Sequence, residues 1–336
     1  SGHSIDSCEI HDVGGIAIRL EGGDWQTLTP SGSKVENTHI HHWGEWRRVY
    51  TPGVSLHGVG HLVRHNEFDH FPHDGIQIRG NDHLIEYNYF HDGMTDFKDL
   101  GVIYGNLGKA PHQRGTTIRR NFFENVANTL PKQNAIYPDN GTMGWTIEEN
   151  IFFRVGNVGK KAFGAIMTNG GSYLSVRNNV FVDCARAFHQ SFFLATWHKN
   201  GLPAYQKKWD SIMTEHNFSE LPHGKRYPGL LNLLEEDRVQ PNSCVYENNL
   251  VWNPTYPLKY KEDLSVSGGP RELVSTRNNQ VVEKNPGYPK WKDGDFSLDK
   301  REGYRLKGMP SIPFEMIGRR RQSGPLGRES SLPHDL

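Results

Sequence analysis

The sequence predicts an all-β fold: a right-handed parallel β-helix with one long, partly helical excursion and a non-repeating C-terminal tail. Three observations carry that prediction. A short strand pattern recurs along the chain, an asparagine holds one slot of that pattern, and a second set of short strands is led by glycine.

The recurring pattern runs apolar, two variable residues, Asn, one variable residue, apolar. It is filled by Val63, Asn66 and Phe68, then by Ile85, Asn88 and Phe90, and by Ile118, Asn121 and Phe123. Ile147, Asn150 and Phe152 follow, then Val176, Asn179 and Phe181, with looser copies around Asn249 and Asn279; Cys8 and Thr38 hold the slot in two earlier copies. The spacings lie between 22 and 33 residues, with one gap of 70 between Asn179 and Asn249. Fixed periods of roughly 20–50 residues mark repeat architectures, and Val, Ile and Phe punctuated by Gly favour short strands over paired helices. Coils of such a solenoid stack at about 4.8 Å, so an Asn at one point of every coil can form an inward hydrogen-bonded ladder that satisfies the backbone at a bend.

The second strand set includes Gly53–Leu56, Gly75–Ile78, Gly101–Tyr104, Gly164–Met167 and the stretches 15–18, 134–137 and 186–189. Strand alternation predicts that the second and fourth residues point inward, and that the third residue and the one after the strand point outward. The outward stripe then contains Ser55, His57, Gln77 and Arg79. His189 falls at the end of the inward column, where an aliphatic residue is expected. It is either a hydrogen-bonded core histidine or part of a site.

Coils are expected over residues 1–285, interrupted by the excursion 190–243, and a closing tail over 286–336. Residue 1 already lies inside a coil, and because solenoids need capping repeats the expectation is that further coils precede it. The 38 Lys and Arg balance the 38 Asp and Glu, which argues against a nucleic-acid partner. No run of ~18 apolar residues exists to span a membrane, and no signal peptide is visible at the start. Three cysteines exclude a disulfide scaffold. Neither a phosphate-binding glycine loop nor a serine nucleophile elbow occurs.

Several stretches resemble right-handed β-helix proteins of bacterial polysaccharide degradation: GIQIRGNDHLIEYNYFHD (75–92), DLGVIY (99–104), NAIYPDNGTMGWTIEENIFFRVG (134–156), NNVFVDC (178–184) and IPFEMIG (312–318). The closest named group is glycoside hydrolase family 141, with its α-L-fucosidases and xylanases. The resemblance runs from about residue 5 to 318 and implies a secreted or periplasmic enzyme acting on a plant or algal poly- or oligosaccharide. Two motifs depart from the family pattern. Its D-x-G-A-[IF]-Y-x-G-R is here Asp99 to Asn106, and its Y-L-D-D-x-x-S-G is here Tyr137 to Gly144, with Asn140 in place of one acidic residue.

Glycosidic hydrolysis uses two carboxylates flanking the bond. Asp99 and Asp139 match the family motifs and are the candidate pair, beside Tyr104 and Tyr137. Asp99 precedes its strand and Asp139 follows the next one, so the spacing strains the about 9.5 Å that an inverting pair tolerates. His73, expected to stack in register against Asp99, could tune a general acid. Asp74, Arg79, Tyr104, Tyr137, His189, His57 and Trp197 are the candidate substrate-binding residues. Trp43, Trp46, Trp197 and Trp209 are sugar platforms or loop anchors. No cofactor is assigned. Structural Ca²⁺ fits carboxylate-rich turns, whereas the His39, His41, His42 run reads first as stacked polar turn residues and only second as a zinc site. On the same scaffold a polysaccharide lyase or uronate epimerase, with Arg79, Lys132, His73 and Tyr104 in charge-neutralising and proton-transfer roles, is the alternative. A non-catalytic glycan-binding solenoid is the third reading.

Overall fold

The structure, a computed structural model, describes residues 2–156, 163–192, 199–227, 229–234, 243–253, 264–267, 274–298 and 309–320. Among these residues the strands form three all-parallel sheets of nine, nine and eight members, the first eight coils each adding one strand to every sheet and the ninth adding one to the first two. The chain is therefore a right-handed parallel β-helix.

The Asn slot lies at the corner between the first and second sheets. The residue before each slot (Ser7, Asn37, His65, Tyr87, Arg120, Glu149, Asn178, Asn248, Asn278) is left-handed, with φ of 51–56°. That bend strips the next amide of a ladder partner, and the slot asparagine restores it. Asn121 Oδ1 accepts from the Asn88 amide and the Asn88 Nδ2, each at 2.9 Å, while Asn121 Nδ2 donates to the Ile85 carbonyl at 3.0 Å. The same set links Asn66 through Asn279, with Thr38 as the lower neighbour of Asn66. Beside it Phe68, Phe90, Phe123, Phe152 and Phe181 stack with ring centroids 4.7–5.0 Å apart, close to the spacing of strands in a sheet.

The third sheet carries the groove face, and its register corrects one expectation. Ile18, Val54, Ile76 and Ile103 are successive partners, Ile103 pairs with Ile136, and Ile136 with Ile166. Val102, not Gly101, sits at the level of Gly75, whose amide donates to the Val102 carbonyl. The upper coils are thus shifted by one residue relative to the glycine-led alignment. In a strand a shift of one exchanges faces. Tyr104, Tyr137, Met167 and His189 consequently line the outer face, while Ile103, Ile136, Ile166 and Phe188 fill the core. In the first copy Ile18, not Ile16, is the inward residue, and Ile16 remains exposed.

The excursion leaves the coil after the strand Phe188–Ser191. Its main element is a helix, α1 (Leu202–Glu215), opened by Pro203, with Tyr205, Trp209 and Ile212 as its buried stripe. Because the excursion emerges directly after His189, the sequence places it beside the strands that end at Tyr137, Met167 and His189. Its described part instead packs on the turns that follow the third-sheet strands, and reaches back to early coils. Trp209 Nε1 donates to the Gly108 carbonyl at 2.5 Å. Ile212 clusters with Leu28, Phe218, Tyr227 and Leu230, and Arg226 pairs with Asp82 at 2.7 Å. Glycine is required at 108, because a Cβ there would lie 1.7 Å from the Asn140 carbonyl oxygen. No helix among the described residues is long and apolar enough to cross a membrane.

Candidate functional site

Two outward columns of the third sheet build the site. One runs Arg19, Ser55, Gln77, Tyr104, Tyr137, and the other Glu21, His57, Arg79. Further along the second line, Asn106 pairs with Asp139 and Asn169 with Ser191. Above these columns α1 stands on one side and the loop carrying Arg47 and Tyr50 on the other. Between them lies a groove of ≈ 960 Å³, whose lining includes Gln77, Arg79, Tyr104 and Asn106 from the sheet and Lys109, Lys208, Ile212 and Glu215 from the flank. A second depression of ≈ 290 Å³ follows on the next coils, lined by Asp99, Lys132, Tyr137, Phe163, Met167, Asn169, His189 and Ser191.

Asp139 lies beneath the boundary between these two depressions. The Tyr104 hydroxyl donates to its Oδ2 at 2.7 Å, and Asn169 Nδ2 and the Asn140 amide donate to its Oδ1, each at 2.7 Å. Tyr137 also bonds to it. Burial raises the Asp139 pKa above the ordinary range, against the lowering effect of those hydrogen bonds. Both tyrosines are raised as well, first by burial and then by the Asp139 charge, so each stays a phenol across ordinary pH. Asp139 lines neither depression. Its role in this geometry is to hold two hydroxyls, Tyr104 in the groove and Tyr137 in the smaller pocket.

Asp99 does not join it. Asn106 is the register partner of Asp139, and Asp99 precedes Asn106 by seven positions. At about 3.3 Å per residue their backbones stand roughly 20 Å apart along the strand direction. Asp99 is exposed at the far end of the smaller pocket, with a left-handed φ of 67°, and its charge acts on Tyr137 from there. The two carboxylates therefore sit at opposite ends of a strand, with Tyr137 between them.

His73 does not stack on Asp99 either. It is buried against Tyr50, Phe97 and Asp74, with Nδ1 2.9 Å from Asp74 Oδ1. The one-residue shift that moved Tyr104 outward also moved Asp99 out of its register. Asp74 is fully buried, which takes it off the surface where a substrate would touch it. Arg79 is exposed in the groove, and His57 sits one coil below it on the same face. Burial, then the Arg19 and Arg79 charges, lower the His57 pKa and favour its neutral form. His189 faces the smaller pocket, 3.2 Å from an Arg186 nitrogen, with its pKa lowered to about 4 by burial and that cation. Trp197 lies outside the described residues. Trp43 and Trp209 are buried anchors, Trp43 stacked on Phe71 and bonded to the Thr51 carbonyl, whereas Trp46 is 91% exposed.

Sequence reasoning missed the cationic character of the groove. Arg47, Arg79, Lys109 and Lys208 face it against a single lining carboxylate, Glu215, and none of the four makes an ion pair among the described residues. A balanced total charge hid this, because the four come from separate coils and the excursion. Gatherings of histidine and carboxylate close enough to hold an ion occur on the second sheet, away from the groove.

The fold and the groove define a β-helix protein of the broad class that includes polysaccharide-acting enzymes and glycan binders. In comparisons with known proteins, residues 52–202 match the family model described as right handed beta helix region. Neither the curated proteins nor the solved structures give a match.

Proposed function

We propose that this protein is a carbohydrate-active enzyme that cleaves an anionic poly- or oligosaccharide, such as a uronate-containing glycan, by β-elimination in the groove over Gln77, Arg79 and Tyr104. The observation that carries this reading is the set of cations Arg47, Arg79, Lys109 and Lys208, which form no ion pair among the described residues, around a phenol held by Asp139. Elimination from a uronate needs its carboxylate neutralised, a base for the C5 proton and an acid for the leaving oxygen. Arg79 suits the first role, since a guanidinium can meet a carboxylate with two parallel hydrogen bonds. His57, neutral beside Arg79, suits the base. Tyr104, kept protonated, suits the acid once its hydroxyl turns from Asp139 to the leaving oxygen. As the C5 proton passes to the imidazole, the C4–O bond breaks, a C4–C5 double bond forms, and the phenol proton goes to the departing oxygen.

Hydrolysis is the second reading, supported by the resemblance to glycoside hydrolase family 141 and by the raised pKa of Asp139. The separation of Asp99 from Asp139 weighs against that pair as its machinery. Secretion or a periplasmic location follows from the same resemblance and belongs to this proposal.

The test is a panel of uronate-containing and neutral polysaccharides, scored for new reducing ends and for the ultraviolet absorbance of unsaturated uronates. Reducing ends with absorbance support elimination. Reducing ends without it transfer the site to hydrolysis. Binding with no cleavage of any glycan overturns the enzyme reading in favour of a glycan-binding solenoid. Arg79→Ala is expected to weaken binding of the anionic glycan on the order of ten-fold and to leave neutral glycans unaffected.

A further inference from the structure

The outer face of the second sheet concentrates imidazoles and carboxylates in a way the groove chemistry does not use. The strand His39–His41 turns Ile40 into the core and both histidines outward. Glu9 is the register partner of His39 on the coil below, and Asp69 the partner of His41 on the coil above. One oxygen of Glu9 lies 3.3 Å from His41 Nε2 and 3.7 Å from His39 Nδ1. Donors bound at ~2.0–2.1 Å to a tetrahedral zinc ion lie about 3.3 Å from one another, so these separations are those of a ligand set.

The far sides of both rings are already engaged. His39 Nε2 lies 2.5 Å from Asp69 Oδ2, which fixes the proton on that nitrogen and leaves the Nδ1 lone pair directed at Glu9. His41 Nδ1 lies 2.8 Å from His42 Nδ1, and in the tautomer in which His41 donates that bond its Nε2 is free to ligate. Carboxylate and imidazole partners behind metal-bound histidines orient the ring and raise its basicity. Asp69 itself is occupied, its Oδ2 by His39 and its Oδ1 by His70 at 2.5 Å, so it serves as support.

We propose that Glu9, His39 and His41 bind a divalent transition-metal ion of the zinc type, supported by Asp69 and His42, with the fourth position open to solvent. Two imidazoles and one carboxylate favour Zn²⁺ or Co²⁺ over Mg²⁺ and Ca²⁺, which prefer all-oxygen sites. The ion would tie the first described coil to the second. This site is independent of the groove and of the proposed activity.

The experiment uses the full chain, freed of metal with a chelator and titrated with ZnCl₂ by calorimetry and with CoCl₂ by visible absorption. The expected result is one equivalent bound, tetrahedral-type Co²⁺ bands, and a higher thermal midpoint with zinc than with chelator. Glu9→Gln, whose exposed side chain leaves the coil unperturbed, and His41→Ala should each weaken binding at least ten-fold, and Asp69→Asn about 10–100-fold. Absence of uptake, uptake undiminished in both Glu9→Gln and His41→Ala, or a preference for CaCl₂ over ZnCl₂ would each overturn the proposal.

Discussion

The Tyr104 hydroxyl donates a 2.7 Å hydrogen bond to Asp139 Oδ2 across two successive coils. The bond exists because Tyr104 pairs with Tyr137 and Asn106 with Asp139, which leaves Asp139 two residues beyond the partner of Tyr104 on the same outer face. It fixes where the phenolic proton that the third sheet brings to the cationic groove is held.

Removing that proton tests the chemistry. Tyr104→Phe should lower kcat on the order of 10²-fold. Asp139→Asn, which keeps the shape but not the charge, should lower kcat with little change in KM, as expected of a positioning residue. Steady-state kinetics on a cleaved glycan measure both. Wild-type kcat in Tyr104→Phe would remove the tyrosine from the mechanism.

The asparagine ladder should be among the most sensitive positions of the fold. Asn121→Ala deprives the Asn88 amide, the Asn88 Nδ2 and the Ile85 carbonyl of buried partners. At ~1–3 kcal/mol for each buried group left unsatisfied, the loss is on the order of several kcal/mol. Asn279, at the partly exposed upper end of the ladder, should cost less when replaced. Denaturant unfolding of the two variants provides the comparison, and equal losses would contradict the ladder as the source of stability.

The groove wall depends on one anchor. Trp209 is fully buried, and truncation of such a residue costs about 3–5 kcal/mol. In Trp209→Ala that cost should fall on the docking of α1 rather than on the coil. Hydrogen exchange should then show loss of protection over Leu202–Glu215 with the third-sheet strands still protected, together with loss of glycan binding. Uniform loss of protection would instead make the helix part of the coil's cooperative unit.

The second-sheet charges set a pH dependence of stability. Burial opposes the charged form of His91, but its bonds to Glu67 and Asp92 and the Asp69 charge outweigh it and raise the pKa from 6.5 to about 9. A pKa raised on folding gives stability that is complete below 6.5 and lost as pH climbs through about 9. Glu67 is the converse: burial is outweighed by His91 and Arg319, and its pKa falls from 4.5 to about 2, so its contribution is present above 4.5 and lost towards 2. Thermal midpoints measured with chelator present should decline on both limbs, and His91→Gln should flatten the alkaline one. An unchanged alkaline limb in that variant would assign the decline to other groups.

The coil and its Asn ladder were legible in the sequence, because each is a local rule repeated. A left-handed residue followed by a buried Asn solves the same hydrogen-bonding problem at every corner, so the same residues recur. The face on which Tyr104, Tyr137 and His189 emerge was not legible. Facing depends on the lateral register of strands far apart in sequence, and with a period of two a single-residue shift reverses it. The site was divided in the same way. Arg79, Tyr104 and Asp139 stood out as residues, but the separation of Asp99 from Asp139, the burial of Asp74 and the meeting of Arg47, Lys109 and Lys208 in one groove depend on how coils stack and where α1 docks. Stacking at about 4.8 Å per coil makes neighbours of residues some thirty positions apart, and only the folded chain determines which neighbours share a face.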